Sequence, residues 1–230
     1  MTSDVPRTPH ATAVVDLLGL VAYGELTAFE RLAADAGKAP TLDGKSQLAG
    51  MAAAEFAHYS RVRARLVELD ADPTAAMAPF STAVDGFHEH TKPADWLESL
   101  VKAYIGDALA ADFNREAARR LDAESRQVVE EVLADAGHAA FVIEHVRAAI
   151  EADPRVGGRL ALWGRRIMGE ALTQAQQVAT RREALAALLT GALSAEGAEP
   201  GAGDLAEIGK MLTRLTEAHG RRMATLGLSA

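Results

Sequence analysis

The stretch Ala52-Ala-Ala-Glu-Phe-Ala-His-Tyr59 decides the fold that this sequence predicts. Glu55 and His58 are three residues apart, so on a helix both side chains project from one face, one turn apart. The residues at helical spacing around them form an apolar stripe: Leu48, Met51, Ala52, Tyr59, Val62 and Leu66. A carboxylate and an imidazole are costly on a core-facing stripe unless something neutralises them. Because Glu-x-x-His on an inward face is the half-site of dinuclear metal proteins built on four-helix bundles, the stretch predicts such a site.

The acidic and histidine pattern occurs twice. Glu25 lies 30 residues before Glu55, within the apolar stripe of its own helix. In the second half, Asp135-Ala-Gly-His138 repeats the acid-x-x-His spacing, and the lone acid Asp107 precedes it by 28 residues. The carboxylates of the two halves would balance the charge of two ferrous ions. The predicted metal ligands are therefore Glu25, Glu55, His58, Asp107, Asp135 and His138. The alternative is that these residues form buried ion pairs and hydrogen-bonded core histidines.

Composition favours a helical, globular protein. The 230 residues are 49% hydrophobic and 24% charged but only 5% aromatic, and they are rich in good helix formers such as Ala and Leu. Because the chain has no cysteine, disulfides and thiolate metal sites are excluded, and a metal must be held by oxygen and nitrogen. The net charge of −8 argues against indiscriminate nucleic-acid binding, although it permits a local basic face.

The sequence predicts a cytoplasmic protein without membrane association. Its first residues lack the basic start and apolar core of a signal peptide. No uninterrupted apolar run approaches the roughly 18 residues that a membrane span needs.

Helical periodicity divides the chain into an all-α architecture. A short turn at 37–40 joins predicted helices 12–35 and 41–70, and a second at 121–122 joins predicted helices 93–120 and 123–152. Because the turns are short, the two helices of each pair should be antiparallel. The proline- and glycine-broken stretch 71–92 supplies one long crossover between the second and third helices. We therefore predict a ferritin-like four-helix bundle with two additional C-terminal helices. The predicted segments are a flexible arm (1–11), the bundle (12–153), a fifth helix packed on it (154–190), a linker (191–203) and a C-terminal helix (204–230).

Several residues near the predicted ligands could assist them. Tyr104, Glu131 and His145 are predicted to hydrogen bond to the ligand histidines, and Glu131 could itself be a ligand. His88 and His90 resemble a small metal clip, but they lie in the broken crossover and are predicted to be solvated.

An arginine-rich segment spans residues 155–182. Its basic residues are Arg155, Arg159, Arg165, Arg166, Arg181 and Arg182, and Glu170 is its only acid. One interpretation is that the arginines pair with acids of the bundle. The other is a contact surface for phosphates at Arg159, Arg165 and Arg166, with Trp163 stacking on a base or lying in the core.

A family resemblance rests on the two acid-x-x-His motifs and on the stretches Leu100-Val-Lys-Ala-Tyr-Ile-Gly-Asp-Ala-Leu-Ala-Ala-Asp-Phe113 and Arg159-Leu-Ala-Leu-Trp-Gly-Arg-Arg-Ile-Met-Gly-Glu-Ala-Leu172. Over residues 12–190 the chain resembles the actinobacterial ferritin-like proteins grouped with MiaE, the tRNA 2-methylthio-N6-isopentenyladenosine hydroxylase. The resemblance implies a diiron bundle that uses dioxygen to hydroxylate a carbon of a modified tRNA base. It also implies that the six predicted ligands hold two iron ions.

The function predicted from sequence is therefore a dioxygen-dependent diiron hydroxylase of an organic substrate. The substrate would be a tRNA or another phosphate-bearing molecule. Nothing resembles a flavin or nicotinamide site, so electrons must come from a separate reductase, and a homodimer is left open. One alternative is a ferritin-type protein that oxidises iron without an organic substrate, and another is a helical interaction module with a vestigial metal site.

Overall fold

Helices account for all regular secondary structure in the residues that this computed structural model describes, 7–133, 139–193 and 205–229. A single turn of 3-10 helix, Ala78–Phe80, follows the third α-helix. The α-helices are α1 (Pro9–Ala36), α2 (Leu42–Glu68), α3 (Pro73–Met77), α4 (Ser81–His90), α5 (Trp96–Ala118), α6 (Ala123–Leu133), α7 (Ala139–Ala152), α8 (Pro154–Arg181), α9 (Glu183–Thr190) and α10 (Leu205–Thr225).

The first two helices form the hairpin that the short turn predicts. Thr8 caps α1, where its hydroxyl accepts a hydrogen bond from the Ala11 amide at 3.2 Å, and Pro9 follows in the first turn. The predicted arm of residues 1–11 therefore overlaps the start of this helix. Thr41 caps α2 in the same way, accepting from the Gly44 amide at 3.0 Å. The two helices pack together along their length, which brings their inward faces into register.

The crossover contains more helix than its prolines suggest. Pro73 stands in the first turn of α3 and Pro79 in the first turn of the 3-10 helix, positions where a missing amide proton costs little. Asp95 then caps α5 by accepting a hydrogen bond from the Glu98 amide at 2.9 Å. The long connection between the second and third bundle helices is thus confirmed, as a run of short helices.

The predicted fifth helix is divided in two. Arg182 separates α8 from α9 in a non-helical backbone conformation (φ −126°, ψ 79°), and its guanidinium makes two hydrogen bonds to the buried carboxylate of Asp16 on α1. The predicted fourth helix is described as α6 and α7, and residues 134–138 between them lie outside the described part of the chain.

The C-terminal helices take part in the core. One apolar cluster joins α2, α5 and α7 to α8 and α10, with Leu48, Leu100, Ile105, Val142, Leu160, Ile167 and Met223. A second cluster joins α1, α2 and α6 to α9, with Leu17, Leu18, Val62, Leu66, Val129, Leu185 and Leu188. Helix α1 is long and apolar enough to cross a membrane by length and composition, yet half of its most apolar window is buried within the protein. It serves here as a core helix.

Candidate metal centre

Glu25, Glu55 and His58 converge between α1 and α2. Each offers one ligand atom, and these atoms all lie within 4.8 Å of one another. The Nδ1 atom of His58 is 3.4 Å from a carboxylate oxygen of Glu25 and 3.6 Å from one of Glu55. All three side chains are nearly buried, with exposures of 8 to 12%. The hairpin therefore assembles half of the predicted ligand set.

Burial and mutual charge shift the protonation of this cluster. Burial raises the pKa of Glu25 well above its usual value, and the neighbouring Glu55 carboxylate raises it further against the opposing effect of His58. Hydrogen bonds to Glu25 and Glu55 raise the pKa of His58 to about 10, although burial opposes the shift. His58 therefore retains both ring protons at neutral pH when no metal is bound. Because metal ligands must be deprotonated, a divalent cation bound there would displace one of these protons.

A cavity of about 220 Å³ adjoins the cluster. Asp107, on α5, lines this cavity together with Glu25, Glu55 and His58. The cavity wall also includes Val132 and Ala139, which lie on either side of the undescribed residues 134–138. Its remaining apolar and aromatic lining residues are Met51, Ala54, Ala103, Tyr104, Ala108, Ala110, Ala111 and Val142. Four of the six predicted ligands thus face one cavity. The other two, Asp135 and His138, lie outside the described residues.

The donor set fits a transition-metal ion. Two buried carboxylates and one imidazole, with a third carboxylate on the same cavity, supply oxygen and nitrogen ligands of the kind that iron accepts. Without a metal, protonated His58 supplies the positive charge beside Glu25 and Glu55, and a bound cation would take over that role. The described residues therefore fit one iron ion at Glu25, Glu55 and His58.

Comparison with known proteins identifies the family. Residues 9–192 match the family model described as a ferritin-like domain of actinomycetes. The chain belongs to this family. Its predicted ferritin-like fold is thereby confirmed.

One solved structure similar to this ferritin-like chain is described as protein 19 with aldehyde deformylating oxidase activity, from Synechococcus. The two superpose with a TM-score of 0.71 at 19% sequence identity, and the match covers 97% of this chain and 94% of the other. At that identity, the likeness shows a shared fold. A search of curated proteins finds no match.

The predicted assisting residues of this ferritin-like domain take different positions. Tyr104 lines the cavity beside the cluster. Glu131 is exposed and accepts a hydrogen bond at 3.0 Å from Gln127, one turn earlier on α6. His145 donates from Nδ1 to the Phe141 carbonyl of its own helix at 3.0 Å.

The two crossover histidines do not form a clip. His88, predicted to be solvated, is largely buried, and burial together with the positive charges of Lys102 and Arg31 lowers its pKa to about 3. That prediction is wrong because α4 is a regular helix that packs against α1 and α8. His90 is exposed and lies 2.7 Å from Glu170 on α8.

Contacts within the fold engage the arginines predicted to bind phosphate. Arg159 pairs with Asp95 at 2.7 Å and with Glu98 at 2.6 Å, as the ion-pair interpretation expects. Trp163 is buried, and its indole nitrogen donates to the Glu98 carbonyl at 3.0 Å, so the ring belongs to the core.

The other two predicted phosphate contacts, Arg165 and Arg166, are exposed as well. Arg165 donates to the Ser229 carbonyl at 2.9 Å, and Arg166 lies over the Trp163 ring at 5.9 Å from its centroid. Both guanidinium groups thus also hold parts of the fold together.

Sequence reasoning missed a polar group at the cavity. Asp112, Asn114 and Arg115 on α5 line it together with Arg222 from α10. The (i, i+3) spacing of Asp112 and Arg115 is a local signal of an ion pair. Arg222 is 110 residues away in sequence, so only the tertiary fold reveals its contact with Asp112.

Proposed function

We propose that this ferritin-like protein holds two iron ions and uses dioxygen to hydroxylate an organic substrate. The observation that carries the proposal is the convergence of Glu25, Glu55, His58 and Asp107 on one cavity. Bound iron would supply the electrons that reduce dioxygen. Overall, one oxygen atom would enter the substrate, and the other would leave as water with two electrons and two protons, the electrons coming from a separate reductase.

Each half of the sequence would supply the ligands of one ion. Glu25, Glu55 and His58 would hold the first ion, since their ligand atoms already lie within 4.8 Å of one another. For the second ion we propose Asp107, Asp135 and His138, which repeat the spacing of the first half.

The cavity favours an organic substrate over iron oxidation alone. Its volume of about 220 Å³ lies directly against the cluster, and small side chains such as Ala54, Ala108 and Ala111 line it. These side chains leave room for a carbon chain next to the ligands. A ferritin-type centre that oxidises only iron needs no more than a narrow path for the ion.

An isopentenylated tRNA adenosine is the substrate that the family resemblance suggests. Arg165 and Arg166 remain its proposed phosphate contacts. Three observations favour a smaller molecule: Trp163 is buried, Arg159 is paired with two acids, and the net charge of −8 repels nucleic acid.

The test supplies reduced, iron-loaded protein with isotopically labelled dioxygen and a panel of substrates. The panel contains aliphatic acids, aliphatic aldehydes and tRNA carrying the isopentenylated base. Aldehydes are included because the structural neighbour is described as having aldehyde deformylating oxidase activity. We expect mass spectrometry to find one labelled oxygen atom in an aliphatic product. The His58→Ala variant should form none. Labelled tRNA would instead favour the nucleic-acid substrate. No labelled product, together with rapid conversion of excess ferrous iron to ferric mineral, would support the ferritin-type alternative.

A further inference from the structure

The cavity beside the metal cluster has a second polar region. Asn114 and Arg115 follow Asp107 by seven and eight residues on α5, which places them about 10 Å further along the helix axis. Arg222 reaches the same cavity from α10. Ala108 and Ala111 line the cavity between the two polar regions. A molecule spanning this cavity would therefore meet a metal site near one end and a polar group near the other.

Arg222 has hydrogen-bonding capacity to spare. Its Nη2 atom donates to a carboxylate oxygen of Asp112 at 2.6 Å. Its Nη1 atom is fully buried and has no hydrogen-bond partner among the residues that the structure describes. Leaving a charged donor buried and unpaired is costly, so a ligand atom that accepts this hydrogen bond would be favoured.

Two guanidinium groups lie at this end of the cavity. Both pair with Asp112, Arg115 at 2.9 Å and Arg222 at 2.6 Å. Guanidinium groups favour an anionic ligand group over a cationic one.

Asn114 provides a second polar contact. The residue is only 6% exposed, and its side chain lines the cavity. Its amide can donate to the same ligand group as Arg222.

We propose that Arg222 and Asn114 bind the carboxylate of an aliphatic substrate whose carbon chain runs along the alanines towards the metal cluster. This inference names the substrate class of the proposed hydroxylase and rests on that function. A carboxylate suits the site because guanidinium groups form short, charge-assisted hydrogen bonds to it. The alanine-lined wall suits an unbranched aliphatic chain.

The test is a calorimetric titration of the full-length protein with hexanoate and, as the uncharged counterpart, hexanol. Both the iron-loaded and the chelator-treated protein should bind hexanoate at least tenfold more tightly than hexanol. The Arg222→Met variant should lose at least tenfold in hexanoate affinity. Arg221→Met is the matched control, since Arg221 is the exposed neighbour on the same helix, and it should bind hexanoate as the wild type does.

Three results would overturn the proposal. The first is equal affinity of the wild-type protein for hexanol and hexanoate. This comparison uses no variant, so it does not depend on a variant folding correctly. Unchanged hexanoate binding by Arg222→Met is the second. A preference for hexanoate seen only in iron-loaded protein is the third, because it would show the carboxylate binding the metal. Since the chelator-treated arm works without iron, failure of the metal site and failure of the carboxylate site give different results.

Discussion

Replacing His58 by Ala is expected to remove at least one of the two iron ions that we propose for the wild-type chain. The imidazole is the only nitrogen ligand in the described half of the site, and its Nδ1 atom lies within 3.6 Å of both carboxylates. Its loss leaves Glu25 and Glu55 facing each other without the group between them. Elemental analysis after anaerobic loading and desalting would measure the change.

The same variant should also lose the stabilisation that iron gives. A ligand present at a hundred times its dissociation constant stabilises the folded state by about 2.7 kcal/mol. For a chain of this size the wild-type melting temperature should rise by roughly 5–10 °C. The control is His90→Ala, which removes an exposed histidine from α4 and should leave both the iron content and the rise intact. If the His58→Ala protein kept the wild-type iron content and the wild-type rise in melting temperature, the assignment of His58 as an iron ligand would be contradicted.

Replacing Gly19 by Ala is expected to destabilise the protein by about 2–3 kcal/mol, the upper part of the usual cost of overpacking. A Cβ atom at this position would lie 2.2 Å from the carbonyl oxygen of Ala76 and 2.7 Å from its carbonyl carbon. Both are backbone atoms of α3, so no side-chain rotation relieves the clash. The variant would have to separate α3 from α1. Chemical denaturation monitored by circular dichroism measures the loss.

Gly24→Ala is the matched control on the same helix. A Cβ atom there meets nothing within 4 Å, and alanine is the better helix former, so a gain of about 0.5–1 kcal/mol is expected. Equal stability of the two variants would mean that α3 does not pack on α1 as the structure places it.

Local pattern was sufficient to predict the first half of the site. Glu55 and His58 share a face because both lie inside one uninterrupted helix, where three-residue spacing fixes their relative direction. Glu25 joined them because the short turn at 37–40 makes α1 and α2 antiparallel neighbours. Periodicity and loop length alone therefore predicted this convergence.

Tertiary contacts decided the features that the sequence did not predict. His88 was predicted to be solvated because the crossover contains several prolines, but Pro73 and Pro79 stand in first turns, where they are compatible with helix. No glycine or proline marks the break between α8 and α9 in the sequence. The break coincides with the ion pair between Arg182 and Asp16. Arg222 reaches Asp112 from a helix that local pattern cannot place.

The most direct measurement is the crystal structure of anaerobically iron-loaded protein, with diffraction recorded at the iron absorption edge. The proposed diiron centre predicts two anomalous peaks per chain. One should lie within coordination distance of Glu25, Glu55 and His58, and the other should be held by Asp107 with Asp135 and His138. No peak at the cluster, or iron only at surface histidines such as His90, would contradict the assignment of a metal centre to this ferritin-like domain.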